Sequence, residues 1–164
     1  MQVSIQEEYG LRILTQLSSA FQSAESLSIQ DIANAEGLSV QVVGRIMVVL
    51  KDSGLAEQVK GNKREFVLSR NPRAITLDEA LTVLGGRLFD SAYCSDHAGS
   101  EDNCVHSCGC TLRPVWGHIE LVVSSVLKRI SLADLLEDEA QIRSSIPRFI
   151  RESVDKKNKT TNKV

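Results

Sequence analysis

The 164-residue sequence has no apolar run long enough to cross a membrane and no excess of positive charge. A membrane-spanning helix needs about 18 or more consecutive apolar residues. The first turns of the chain carry Glu7, Glu8 and Arg12, where a secretory signal peptide has an uncharged apolar stretch. The net charge is −2, so overall electrostatics does not indicate a nucleic-acid partner. We therefore expect a soluble, cytoplasmic protein with no membrane partner.

The sequence also lacks the short motifs of common enzyme sites. It contains no His-Glu zinc motif, no glycine-rich phosphate-binding loop and no nucleophile elbow. A catalytic pocket would also need more converging polar groups than the cysteine-containing segment supplies. We therefore expect a protein that is not an enzyme, with a small redox or metal enzyme as the more distant alternative.

Near the N-terminus, the pattern predicts two short helices joined by a glycine-containing turn, after a first helix over residues 5–21. Ser28 is the expected cap of the second helix, and Gly37 ends it. Ser39 caps the next helix, whose apolar residues recur at three- and four-residue intervals. Two short helices in this arrangement are typical of a helix-turn-helix.

A basic turn over residues 60–64 (Lys-Gly-Asn-Lys-Arg) lies between two short runs, 55–59 and 65–68, that can pair as a β-hairpin. Such a hairpin is a wing, and a fourth helix starting at Thr76 closes the domain. The second helix of a helix-turn-helix can lie in the major groove, and cations of a wing can neutralise phosphates. The candidate DNA-binding residues are Ser39, Gln41, Arg45, Lys60, Lys63 and Arg64.

All four cysteines lie between Cys94 and Cys110, in a segment with little periodicity. In a reducing compartment, this density favours metal or redox chemistry over structural disulfides. Thiolates are the usual ligands of iron–sulfur clusters and also bind zinc. The residues alone leave three interpretations open: an iron–sulfur cluster, a structural zinc and a metal-free thiol switch. The available ligands are Cys94, Cys104, Cys108, Cys110, His97 and His106.

From Leu112 to Ile130, apolar residues fill one stripe of a long helix, which therefore needs a partner. A further short helix is predicted after Ser131, and the basic end of the chain is expected to be a disordered tail. The predicted fold is mainly α with a small β-hairpin wing. Its parts are a winged helix-turn-helix domain (1–86), a cysteine-rich loop (87–111), a long helix with a C-terminal helix (112–150) and the tail (151–164).

Residues 1–136 resemble the winged helix-turn-helix iron–sulfur regulators, a family that includes IscR, NsrR and RirA. The likeness rests on residues 8–12, 27–33, 37–55, 74–80, 110–116 and 130–136. It implies a homodimer that binds a palindromic operator in double-stranded DNA, with the stripe after Trp116 as the dimerisation helix. The regulator would sense redox state, nitric oxide or iron through a [2Fe–2S] or [4Fe–4S] cluster. Zinc is the alternative metal.

The resemblance also implies a ligand set. Family members typically have three cysteines, the last two separated by five residues, as Cys104 and Cys110 are. In the nitric-oxide-sensing type, the fourth ligand is an acidic residue early in the first helix of the other subunit, and Glu8 stands at that position. The histidine of the IscR type falls where this chain has Arg113, so that ligand is not carried over. The implied ligands are Cys94, Cys104, Cys110 and Glu8, with Cys108 as an additional thiol.

Overall fold

The computed structural model describes residues 3–87, 89, 93, 98, 104, 106 and 109–161, with side chains described as far as residue 150. The chain is mainly helical with one small antiparallel sheet, which confirms the predicted fold class. The elements before the cysteine segment are α1 (Ile5–Gln22), β1 (Leu27–Ser28), α2 (Ile29–Glu36), α3 (Val40–Asp52), β2 (Ala56–Val59), β3 (Asn62–Leu68) and α4 (Leu77–Gly85). After it come α5 (Leu112–Leu127) and α6 (Glu139–Thr161), and short 3-10 turns cover Pro72–Ala74 and Asp134–Leu136.

Polar caps fix where the first helices begin. The Ser28 hydroxyl accepts from the Asp31 amide at 3.1 Å, and the Asp31 carboxylate accepts from the Ser28 amide at 3.1 Å. Ser39 caps α3 by accepting from the Val42 amide at 3.3 Å. Gly37, between the two helices, has a φ of +64°, a left-handed conformation that favours glycine. The chain bends by 119° between α2 and α3, as in helix-turn-helix motifs, where the angle is about 90–120°.

One apolar core joins the first four helices and the sheet into a single unit, residues 3–86, called the head below. Leu132 lies far along the chain, beyond α5, and yet is fully buried in this core. Its amide donates to the Ile75 carbonyl at 2.9 Å, and the Leu77 amide donates to the Ile130 carbonyl at 2.8 Å. The segment after α5 is therefore fastened to the head by both side chain and backbone.

The wing is an antiparallel sheet with strand order β1-β3-β2. β1 has only two residues, too few to produce a periodic signal in the sequence, and pairs with Phe66 and Glu65 of β3. β3 begins at Asn62, earlier than the predicted run, so Lys63 and Arg64 lie on a strand and not in the turn. The reversal needs only residues 60 and 61, because Gly61 has a φ of +88°.

The end of the chain differs from the expected disordered tail. The backbone of α6 is helical as far as Thr161, through most of the segment 151–164. Lysine, arginine and glutamate are good helix formers, so a basic segment can continue a helix that packing has started. No single helix in the described part of the chain is long and apolar enough to span a membrane, although α2 and α3 taken together meet that test by length and composition.

Candidate DNA-binding surface and metal centre

α3 separates a buried face from an exposed one. Val43, Met47 and Leu50 are enclosed in the core, which orients the opposite side of the helix outward. Gln41 and Arg45 lie on this outer side, and in the described part of the chain neither side chain has a hydrogen-bond or ion-pair partner. Ser39 is exposed at the start of the helix but is occupied as its cap. The outer face of α3 therefore presents free donors suited to base edges.

The wing carries a set of cations that are exposed and form no ion pair with any described side chain: Lys60, Lys63 and Arg64. Their neighbour Glu65 accepts a hydrogen bond from Ser26, which holds this carboxylate against the sheet. Gln58 donates to the backbone carbonyl of residue 63 at 2.8 Å, and Asn62 accepts from the amide of residue 64 at 3.1 Å. These bonds fix the backbone beneath the cations and leave their charges available.

A cleft of about 530 Å³ separates α3 from the wing. It brings Lys63 and Arg64 of the wing next to α3, together with residues that the sequence analysis did not select. These additional residues are Val40, Val48 and Lys51. The sequence signal that could have found them is their helical spacing, which places them on the same side of α3 as Gly44. Gln41, Arg45 and Lys60 do not line the cleft.

The structure distinguishes the two acidic residues at the start of α1. Glu7 accepts from the Ser4 amide at 2.7 Å, while the Ser4 hydroxyl accepts from the Glu7 amide at 3.2 Å. This reciprocal capping box occupies Glu7. Glu8 is exposed, and its carboxylate has no partner among the described residues. Of the two residues, Glu8 is the one whose carboxylate is available for a ligand.

The described part of the cysteine segment contains two free thiols, Cys104 and Cys110, both partly buried. Cys110 lies two residues before α5 begins, so its backbone is close to a fixed helix end. Cys94, Cys108 and His97 lie outside the described residues, and His106 is exposed. Among the described residues, no three Cys, His, Asp or Glu side chains converge on a common point.

Two ion pairs, one near each end of α4, connect this part of the chain to α5 and to the residue that follows it. Asp78 at the start of α4 faces Lys128 just after α5, with 3.8 Å between carboxylate and ammonium. Arg87, beyond the end of α4, faces Glu120 in the middle of α5 at 3.6 Å. Together with the backbone bonds around residues 75–77, these contacts set the position of α5 against the head.

The opposite side of α5 is apolar and open to solvent. The large apolar residues on its outward stripe are between a third and three-fifths exposed: Leu112, Val115, Trp116, Ile119 and Val122. They recur at three- and four-residue intervals and so share one face of the helix. The apolar pattern of the sequence predicted that this stripe needs a partner.

A helix-turn-helix pair, a three-stranded wing and a basic cleft between them define the winged-helix class of DNA-binding proteins. The family model for Rrf2, described as an iron-dependent transcriptional regulator, matches residues 3–138. The chain belongs to the Rrf2 family.

Individual relatives agree with this assignment. The chain is 31% identical to the transcriptional regulator NsrR of Geobacillus kaustophilus, over 88% of its own length and 95% of the relative's. It is 26% identical to CymR of Bacillus subtilis, over 82% and 89%. Among solved structures, it is similar to IscR of T. potens, with 28% identity, a TM-score of 0.64 and coverage of 86% and 91%. The protein is therefore a DNA-binding transcription regulator and not an enzyme.

Proposed function

We propose that this regulator is a homodimer whose DNA affinity depends on an iron–sulfur cluster held by Cys94, Cys104, Cys110 and Glu8. The observation that carries the proposal is the separation of two neighbouring carboxylates, since Glu7 serves as a cap and Glu8 stays free. Two free thiols, ahead of α5, supply further donors of the right kind. Thiolates are the usual cluster ligands, and iron also accepts carboxylate oxygen.

The proposed coupling between cluster binding and DNA affinity depends on which parts of the chain the ligands come from. Glu8 lies on α1 of the head, whereas Cys110 adjoins α5. A shared ligand site would therefore tie a head to a dimerisation helix, and a bound cluster would supply metal–ligand bonds that are sensitive to oxidants or nitric oxide. A tenfold to hundredfold change in DNA affinity requires only about 1.4–2.8 kcal/mol of difference between the two states.

The contacts between the head and the segment around α5 allow a change at the ligand site to reach the DNA-binding surface. α4 is held to the segment that follows α5 by the Asp78–Lys128 ion pair and the Leu77–Ile130 hydrogen bond. α4 also packs in the same core as α3. A shift of the head against α5 therefore changes the spacing of the two recognition helices in a dimer, which must match half-sites about 34 Å apart.

The apolar stripe of α5 supports the homodimer. Five large apolar side chains on one helix face are costly to leave in water, and each gains about 1.5–3 kcal/mol when fully buried. A second copy of the same helix is the partner that a self-complementary stripe fits. Two heads in such a dimer would bind a palindromic operator.

Absorption spectroscopy tests the cluster. The full-length protein, purified without oxygen, should absorb in the visible range, because thiolate-to-iron charge transfer is coloured and zinc is colourless. Cys104→Ala should lose this absorption, and Cys108→Ala should keep it. A Cys104→Ala variant with full iron and sulfide content would contradict the ligand assignment.

The two glutamates provide a matched pair of variants. Glu8→Gln should alter the visible spectrum and speed its bleaching by nitric oxide. Glu7→Gln should leave the spectrum unchanged and cost little stability, since glutamine at this position can still accept from the Ser4 amide in the capping box. Equal spectra for both variants would remove Glu8 from the site. A colourless protein that contains zinc, or one whose DNA affinity responds to thiol oxidation alone, would favour the zinc or thiol-switch alternative.

The proposed DNA-binding residues divide into two groups with different signatures. Substituting alanine for Lys60, Lys63 or Arg64 should weaken binding to all sequences and reduce the slope of log affinity against log salt by about 0.9 for each phosphate that is no longer neutralised. Gln41→Ala and Arg45→Ala should instead relax the preference for particular bases. Fluorescence anisotropy at several salt concentrations measures both effects. An unchanged salt slope in the wing variants would contradict the phosphate role.

A further inference from the structure

Gly44 on the outward side of α3 is not explained by the packing of the head. It lies in the interior of a helix, where glycine is about 1 kcal/mol less favourable than alanine. A Cβ atom added at this position would meet no described atom within 4 Å. Its backbone is not in the left-handed region, in contrast to Gly37 and Gly54. The fold itself therefore gains nothing from a glycine at this position.

Two exposed valines lie one helical turn on either side of Gly44. Val40 is 45% exposed and Val48 is 54% exposed, although both belong to a helix with an extensive buried face. The three residues are spaced by four and so form one continuous line on the helix surface, the Val40–Gly44–Val48 strip. The strip therefore has the methyl groups of a valine at each end and, at Gly44 between them, no side chain.

The surroundings of the strip identify what it fits. Lys51 borders the cleft beside it, and Lys63 and Arg64 face it from the wing. The matching ligand is a polyanion that also presents apolar groups, because the cations would bind its charges and the strip would contact its apolar groups. Duplex DNA has both features, because its phosphates are negative and the C5-methyl groups of thymine line the major groove.

We propose that the Val40–Gly44–Val48 strip reads thymine methyl groups in each half-site, and that Gly44 allows α3 to approach the DNA more closely than a side chain would. This proposal rests on DNA binding by the head and adds the base that the recognition helix selects. The polar residues Gln41 and Arg45 contact other base edges, so the strip contributes a preference for thymine that hydrogen bonding alone would not give.

Modified DNA provides the test. Full-length protein, with and without its metal, is first used to select duplexes from a random-sequence pool. Each thymine common to the selected duplexes is then replaced by deoxyuridine, which lacks only the C5-methyl group. At one or more positions per half-site, the replacement should weaken binding about fourfold, the effect of removing one buried methyl group. In the Val40→Ala or Val48→Ala variant, deoxyuridine should no longer weaken binding at the thymine that the removed valine contacts in the parent protein.

Gly44→Ala gives a second, independent result because its two effects have opposite directions. The variant should unfold about 2–4 °C higher than the parent, since alanine favours the helix and has room. It should bind selected DNA about tenfold more weakly, because the added methyl group keeps the helix from its full approach.

Several outcomes overturn the proposal. They are undiminished affinity for deoxyuridine at every selected thymine, the absence of thymine from the selected sites, or Gly44→Ala binding as tightly as the parent. Failure to select any duplex would contradict DNA binding itself, and the two failures are therefore distinguishable. Selective capture of a peptide by the strip, with no effect of deoxyuridine, would assign the surface to a protein partner and also refute the proposal.

Discussion

Replacing Leu132 with alanine would test how firmly the end of α5 is joined to the head. Leu132 has no exposed surface and lies in the core with residues from α1 to α4, although more than forty positions separate it from the end of α4. The substitution removes side-chain atoms and leaves the 2.9 Å hydrogen bond from its amide to Ile75 in place. It therefore measures the apolar contribution to this junction alone.

The expected loss is about 3 kcal/mol in the free energy of unfolding, within the range of about 2–5 kcal/mol for leucine-to-alanine changes in well-packed cores. For a chain of this size, each kcal/mol corresponds to about 2–4 °C, so the midpoint should fall by about 6–12 °C. Urea denaturation followed by far-ultraviolet circular dichroism measures the loss directly. All variants must be compared at one protein concentration, because the midpoint of the proposed dimer would depend on it.

Leu132→Met is the matched control. Methionine keeps nearly the same volume and should cost less than about 1.5 kcal/mol. The reasoning is refuted if Leu132→Ala costs under about 1 kcal/mol, or if the methionine variant is as unstable as the alanine variant. The first result would mean that the core does not enclose the side chain, and the second that the loss of stability does not come from the lost apolar volume.

The exposed stripe of α5, the Arg12–Glu36 ion pair and the cap of α2 each give a further prediction. Val122→Glu places a charge in the exposed stripe of α5 and should convert the proposed dimer to a monomer in analytical ultracentrifugation, with the circular dichroism of the head preserved. Arg12→Ala should lower the free energy of unfolding by about 1–2 kcal/mol. The reason is that the Arg12 guanidinium donates to the Glu36 carboxylate at 2.7 Å and to the Glu36 backbone carbonyl at 2.5 Å. Thermal unfolding measures this loss, and an unchanged midpoint would contradict it. The hydrogen bonds from the Ser28 hydroxyl and amide hold the pKa of Asp31 below its ordinary value. This carboxylate therefore favours folding above its unfolded pKa, a contribution lost as pH falls through the folded one. Ser28→Ala should raise the pKa in a carboxyl NMR titration, and an unmoved titration would exclude the cap as its cause.

The arrangement of α1 shows why sequence reasoning about the metal site stopped where it did. Both Glu7 and Glu8 are acidic residues in a first turn, and either position suits a helix dipole. Only the placement of Ser4, which forms the capping box with Glu7, separates their roles. A serine three residues before a glutamate is itself the sequence signature of a capping box, but that signature was not applied to Ser4 and Glu7, and the folded chain shows the box formed.

Local sequence was sufficient wherever neighbouring residues decide the outcome. Ser28, Gly37 and Ser39 set the ends of α2 and α3 through caps and a left-handed turn, which act within a few residues. The period of the apolar residues in α3 likewise fixed which face enters the core. For the same reason, the helix-turn-helix and its outward Gln41 and Arg45 could be predicted.

The tertiary structure decided what depends on distant pairings. β1 is a strand because Leu27 pairs with Phe66 of β3. β3 starts as early as Asn62 because this residue pairs with Val59 of β2. Leu132 enters the head core only because the chain returns after α5. The sequence by itself determined α1 to α5 and the caps of α2 and α3, since local backbone preferences and hydrophobic periodicity act over short separations. Only the folded chain decided that the valine strip with Gly44 shares one cleft with Lys63 and Arg64 of the wing, because that arrangement is produced by long-range packing.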